Sequence, residues 1–171
     1  MGAPRRVLEA VLVLTSALAL LIELLRRVDA TIDARINRAF GSLMREHEGK
    51  SIAGATWLSL SCLGVVLLLS REAAISALWC VTVADPAAAI AGRWWTARRQ
   101  PHPCTRDGKT IAGTLACGTV SFAGVWMLAG YPPAAAVIIA AAGTVAEAAP
   151  WSLDDNLSVA VAAGAAAQLL A

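Results

Sequence analysis

Six stretches almost free of charge dominate the chain: Val7–Leu25, Ile52–Leu69, Ala73–Ala91, Ile111–Gly130, Ala134–Ala149 and Leu157–Ala171. A bilayer's hydrocarbon core takes about 20 predominantly apolar residues of helix to cross. Inside it every backbone N–H and C=O must be satisfied within the segment or within a closed barrel. The alternating pattern of a barrel strand is absent from the sequence. The expectation is therefore an all-α chain, one domain over residues 1–171, built as a polytopic transmembrane bundle of about six membrane helices. The last two runs are short and alanine-rich. Composition points the same way, with 58% hydrophobic and 15% charged residues over 171 positions and a mean hydropathy of +0.65. Such values exclude an ordinary soluble domain. Gly and Ala crowd the later segments and let helices approach closely in a membrane. The first run follows Arg5 and Arg6, as a signal peptide's would. It is long for that role and no clear small-residue cleavage site follows, so it reads as a retained helix.

The connections differ sharply in charge. Arg26, Arg27, Arg35, Arg38, Arg45 and Lys50 lie between the first two runs, and Arg93, Arg98, Arg99, Arg106 and Lys109 between the third and fourth. The Arg71-Glu72 connection is minimal, and Gly130-Tyr131-Pro132-Pro133 carries no charge. The positive-inside rule places the two basic stretches in the cytoplasm, the N-terminus outside, and the turn Pro150–Asp155 inside. Within the first connection, Val28, Ile32, Ile36 and Phe40 recur at helical spacing, which predicts an amphipathic helix lying on the cytoplasmic surface.

Ionisable groups inside membrane segments are costly and are functional candidates by default. Glu23, Asp85 and Glu147 qualify, and all three fall toward the cytoplasmic face under this topology. In Ala84-Asp85-Pro86, running on to Gly92-Arg93, a helix places Asp85, Ala89, Gly92 and Arg93 on one side. Pro86 has no amide hydrogen and loosens the preceding turn. A carboxylate beside a loosened carbonyl suits a hard cation such as magnesium; equally, Asp85 could pair with Arg93 or another base to hold helices together. Lys109-Thr110-Ile111-Ala112-Gly113-Thr114 opens the fourth run. A helix start of this kind attracts phosphate through its amides and dipole, although an ordinary basic loop against anionic lipid is the alternative. The segment is not a P-loop. Asp154-Asp155-Asn156 holds two further acids, either of which is a good N-cap for the sixth helix.

Other features read blandly. Cys62, Cys80 and Cys117 lie in apolar segments as small core residues. His102 and Cys104 are too few for structural zinc. Asn156-Leu157-Ser158 fits a glycosylation sequon but faces the cytoplasm here. The six tryptophans suit interfacial belts, with Trp94 and Trp95 at the inner boundary. Lys50-Ser51-Ile52-Ala53-Gly54-Ala55 nearly repeats Lys109-Thr110-Ile111-Ala112-Gly113-Thr114, each copy standing where a cytoplasmic loop enters a helix.

Taken in order, Ala84-Asp85-Pro86 with Gly92-Arg93, Lys109-Thr110-Ile111-Ala112-Gly113-Thr114-Leu115-Ala116, Ala146-Glu147-Ala148-Ala149-Pro150 and Asp154-Asp155-Asn156-Leu157-Ser158-Val159 resemble the polyprenol kinase family. That family includes dolichol kinase, phytol kinase and the CTP-dependent diacylglycerol kinase of yeast. Glu23-Leu24-Leu25-Arg26 also looks like the family's pattern, so the resemblance covers nearly the whole chain. It implies phosphoryl transfer from CTP to a lipid alcohol at the cytoplasmic membrane face, with Mg2+ or another divalent cation. Carried over by motif, Asp85, Gly92 and Arg93 belong to the nucleotide and metal site, and Lys109, Thr110 and Gly113 cradle phosphates. Glu147, Asp155 and Asn156 complete the site, with Asp85 and Asp155 as metal ligands, Asp85, Asp155 and Glu147 as the catalytic carboxylates, and Glu23 and Arg26 in support. The expected location is a prokaryotic inner membrane, with membrane lipids as neighbours and no nucleic-acid partner. Family members usually begin with an additional helix carrying a basic pair and a histidine; this chain starts at the helix bearing Glu23.

Two rival readings follow from the same residues. A CDP-diacylglycerol synthase shares a CTP site and a similar Gly-Arg plus Lys-Thr pattern, but carries a later Ser…Lys-Arg…Lys-Asp signature, and no lysine follows Lys109 here. A small transporter or non-catalytic scaffold is the other; transporters place charge at the midplane, whereas these charges hug one face.

Overall fold

The computed structural model describes residues 5–40, 52–98, 109–149 and 154–171. Among the described residues the fold is all-helical: α1 (Arg5–Val28), α2 (Ala30–Phe40), α3 (Gly54–Leu68), α4 (Arg71–Trp79), a π-helical turn (Cys80–Ala84), α5 (Asp85–Arg98), α6 (Ile111–Met127), α7 (Pro133–Ala148) and α8 (Asp155–Leu169). Each of the six apolar runs forms helix. Among the described residues, two helices are long and apolar enough to cross a membrane: α1, and the continuous helix Arg71–Ala97 made of α4, the π turn and most of α5. Helices α3, α6 and α7 are apolar but shorter; at about 1.5 Å rise per residue they extend roughly 22–26 Å.

Residue contacts divide the chain into two compact units, Met1–Gly64 and Val65–Ala171. In the first, α1 buries only Ser16 and Glu23 while most of its leucines stay exposed. Ser16 Oγ donates to the Ser59 carbonyl (3.1 Å), and Glu23 Oε2 accepts from the Ala53 amide (3.4 Å) where α3 begins. Arg26, its side chain 7% exposed, lies between Glu23 (3.7 Å) and Asp33 of α2 (2.9 Å). Asp29 caps α2: its carboxylate accepts from the Thr31 amide at 2.7 Å, and these hydrogen bonds hold its carboxyl below the usual carboxylate range. The expected amphipathic segment 28–40 is thus helical from Ala30, with Ile32 and Ile36 half-buried and Ala34 and Arg35 exposed.

The second unit is cored by small side chains. Ala73, Ala77, Cys80, Ala84, Cys117, Ala136, Ala160, Ala163 and Ala167 are fully buried, with Ile139 the largest side chain among the fully buried ones. Small residues let helix backbones come close, so packing rests on dispersion between near-touching backbones. Gly124 of α6 is closed over by the indole of Trp79, whose Nε1 donates to the Val120 carbonyl at 2.8 Å. Trp79 therefore serves an interhelical contact, where the sequence suggested an interfacial belt. The α6–α7 turn uses Gly130 at φ 80°, a left-handed conformation that glycine adopts without strain. Tyr131 follows it, buried, its hydroxyl donating to the Ala167 carbonyl at 2.8 Å. Pro133 then opens α7 at a position where no amide donor is needed.

The π turn has a local cause. Pro86 cannot donate to the carbonyl four residues back, and its ring crowds that carbonyl in regular α geometry. The backbone widens one turn earlier, and the Asp85 amide reaches Cys80 O instead. The loosened turn expected from Asp85-Pro86 is this π segment.

Candidate functional site

Helix α6 organises the chemistry of the second unit. Thr110 caps it, its hydroxyl accepting from the Gly113 amide at 3.1 Å. The residue before the cap, Lys109, turns toward the C-terminal end of α7 and the N-terminal end of α8. Its Nζ lies 3.3 Å from Glu147 Oε1 and 3.3 Å from Asp155 Oδ2, and it also donates to the Glu147 backbone carbonyl. Three oxygens from two helix ends thus surround one ammonium group.

Glu147 defies local rules. It stands in the last turn of α7, where the dipole disfavours an anion, and only 7% of its surface is exposed. Lys109 compensates both the carboxylate and one of the terminal carbonyls that a helix leaves unpaired. The compensation is incomplete: Glu147 Oε2 is buried with no hydrogen-bond partner. A buried, half-satisfied carboxylate is costly, and such departures concentrate at functional sites.

The neighbouring acids divide their work. Asp154 is the N-cap of α8, accepting from the Asn156 amide (3.0 Å) and from Asn156 Nδ2 (2.8 Å). Asp155, one residue on, turns its carboxylate to Lys109. One of the two acids thus caps the helix and the other pairs with Lys109. Asn156, expected at the nucleotide, is tied to Asp154.

Helix α5 packs antiparallel along α6. A Cβ on Gly113 would stand 2.9 Å from the Ala88 carbonyl oxygen, and one on Gly92 would stand 2.9 Å from Thr110 Oγ1. Both glycines, expected near phosphates, are what lets α5 and α6 touch. Gly92 thus stands beside Thr110; the next residue, Arg93, is exposed and its Nε donates to the Ala89 carbonyl. Asp85, half-buried, lies beside the Ala84–Ala88–Cys117 cluster. That is about two turns, roughly 10 Å, along α6 from Thr110. The buried Cys117 is within electrostatic range of both Glu147 and Asp85. Cys117 is a small buried core residue, as its apolar segment suggested, while the Glu147 carbonyl is a partner that no motif marked. The nearness of Glu147 to Pro150 in the sequence is the available signal for the latter.

Glu23 and Arg26, expected in support, form the buried ion-pair cluster of the first unit described above. Lys50, Arg99, Arg106, His102 and Cys104 lie outside the described residues, as does the start of the first near-repeat. Among the described residues, no three His, Cys, Asp or Glu side chains converge closely enough to hold a metal. A cation at Lys109's neighbours would use the two carboxylates of Glu147 and Asp155, the Glu147 carbonyl and oxygens of its ligand. That all-oxygen set fits a hard divalent ion, which commonly keeps only one or two carboxylates and takes the rest from phosphates and water.

No protein-family model matches the chain, and no characterised protein or solved structure shows significant similarity to it.

Proposed function

We propose that this chain is a CTP-dependent lipid-alcohol kinase, embedded in a membrane by six helices with α2 on the cytoplasmic surface. The observation that carries the proposal is Lys109, held at the start of α6 between Glu147 and Asp155. A fixed cation beside helix-terminal amides binds polyphosphate, and adjacent carboxylates hold a metal or receive a proton. Phosphoryl transfer asks mainly for positioning and charge neutralisation. The sequence resemblance to polyprenol kinases supports the same assignment.

In this reading the hydroxyl oxygen of the lipid alcohol attacks the γ-phosphorus of CTP. The new O–P bond forms as the bond to the β,γ-bridging oxygen breaks, CDP leaves, and the hydroxyl proton passes to Glu147 or Asp155. Lys109 and the first amides of α6 neutralise charge on the transferring group. Arg93 approaches the nucleotide from the exposed end of α5. A bound divalent cation would draw charge from the β- and γ-phosphates. Asp85 stands on α5 beside Cys117 of α6, about two helical turns from Thr110. The acceptor class is a polyprenol, a phytol-like isoprenoid alcohol or a diacylglycerol.

The test is phosphate transfer by purified protein in detergent with Mg2+, offering γ-labelled CTP or ATP with undecaprenol, dolichol, phytol or diacylglycerol, and CTP with phosphatidate in parallel. Labelled lipid phosphate formed from CTP supports the kinase. Release of pyrophosphate with formation of a CDP-lipid from phosphatidate replaces it with a cytidylyltransferase. No transfer to any acceptor removes the enzyme reading and leaves a transporter or scaffold.

A further inference from the structure

We infer that the cage now filled by the Lys109 ammonium is a divalent-cation site, and that Lys109 is its built-in competitor, released when a cation enters. The inference deepens the kinase reading but stands on geometry of its own. The cage supplies three oxygens of hard-cation type: the Glu147 backbone carbonyl, Glu147 Oε1 and Asp155 Oδ2. The first two come from a helix C-terminal end, where carbonyls are unpaired and the dipole favours positive charge. The independent observation is Glu147 Oε2, buried without a partner on a residue 7% exposed. An ammonium needs no fourth oxygen there. A cation that takes a carboxylate through both oxygens does.

The consequence is an exchange. Two carboxylates facing one lysine leave a net negative charge, so a divalent ion neutralises the cage better than an ammonium does. On entry it expels the Lys109 head group. The lysine stem starts one residue before the α6 cap, so the released ammonium stays beside the first amides of α6, where an anion is favoured. One ion entering thus both completes the cage and turns a salt-bridged lysine into a phosphate ligand. It also assigns the cation to Glu147 and Asp155, with Asp85 outside the cage.

Binding of Mn2+ alone, without nucleotide or lipid, tests this on the full chain in detergent, read by the electron paramagnetic resonance of free Mn2+. Wild type is expected to bind one ion weakly and saturably, and Lys109→Met to bind it at least tenfold more tightly. Glu147→Gln should abolish the site in both backgrounds, and Asp155→Asn should weaken it at least tenfold. Equal affinity in wild type and Lys109→Met, or binding that survives Glu147→Gln, would overturn the inference. Should Lys109→Met fail to fold without metal, recovery of its folded state by Mn2+ but not by equal ionic strength supports the exchange. Should it fail in both, wild type decides: a saturable site lost in Glu147→Gln upholds the cage, and its absence ends the idea. Because no CTP is present, a positive result beside absent phosphate transfer would remove the kinase and keep the cation site; transfer beside no Mn2+ site would do the reverse.

Discussion

The Lys109 ammonium lies 3.3 Å from Oε1 of Glu147, a contact spanning 38 positions of sequence and joining the start of α6 to the end of α7. Asp155 adds the start of α8 to the same point. Three helix ends therefore share one cation. Asp155 suits the dipole at the start of α8, whereas Glu147 stands against the dipole at the end of α7 and is held there by Lys109.

Removing that cation should have two separable effects. Lys109→Met is expected to lower CTP-dependent transfer at least 100-fold, the usual scale for losing one preorganised charge in a transition state. It should also destabilise the second unit by about 3 kcal/mol, because two carboxylates are left near each other unpaired. Lys109→Arg should restore much of the stability, since a guanidinium still pairs with the two carboxylates, and little of the turnover, since its planar fork does not replace a compact ammonium at the phosphates. Labelled-phosphate assays and thermal unfolding in detergent read the two effects independently.

The two adjacent aspartates should behave oppositely. Asp154→Ala removes the α8 cap and is expected to cost about 1 kcal/mol with turnover within threefold of wild type. Asp155→Asn keeps the helix start and should lower turnover at least 30-fold with a small change in stability. Reversed results would move the functional role to Asp154.

Gly113→Ala should destabilise the α5–α6 pair by about 1–3 kcal/mol, because the added methyl would stand 2.9 Å from a backbone oxygen of Ala88 that cannot swing aside. Gly64→Ala is the control. Nothing lies within 4 Å of its Cβ position, so it is expected to stabilise α3 by about 0.5–1 kcal/mol through helix propensity. The difference in unfolding midpoint between the two variants checks both.

Trp79 and Gly124 form a matched pair. Gly124→Ala is expected to be destabilising because its methyl would occupy the space of the indole, and Trp79→Ala should be destabilising through lost burial and the lost bond to Val120. The double variant should be less destabilised than the sum of the two, with a coupling of about 1 kcal/mol or more. Strict additivity in a double-mutant cycle would show that the contact carries no energy.

Tyr131→Phe should cost about 1 kcal/mol, the net value of its bond to the Ala167 carbonyl. Burial, with the Glu72 charge adding to it, raises the Tyr131 hydroxyl above its usual range. The neutral phenol is therefore the form the fold favours. Its stability contribution is complete below the unfolded-state value of about 10 and fades as pH rises through it. Unfolding midpoints measured from pH 8 to 11 should fall more steeply in wild type than in Tyr131→Phe.

Much of this protein is decided by hydrophobic pattern alone. Long, almost uncharged runs leave helix as the economical way to satisfy the backbone, so all six became helices, and Pro86 located the π turn because a missing amide acts through the bonds of its own chain. Caps are equally local: Asp29, Thr110 and Asp154 each accept from an amide two or three residues ahead. The roles of Gly92, Gly113 and Trp79 depended on which helix lay opposite, information that no local pattern holds. The same is true of Asp154 and Asp155: either residue satisfies the propensity for a cap, and only the position of Lys109, brought close by the packing of α6, α7 and α8, separated the cap from the ion pair. Sequence marked Glu147 as an acid where acids are costly; tertiary structure supplied the cation that keeps it there and left one of its oxygens unpartnered, since burial and partnership are properties of the surroundings rather than of the residue.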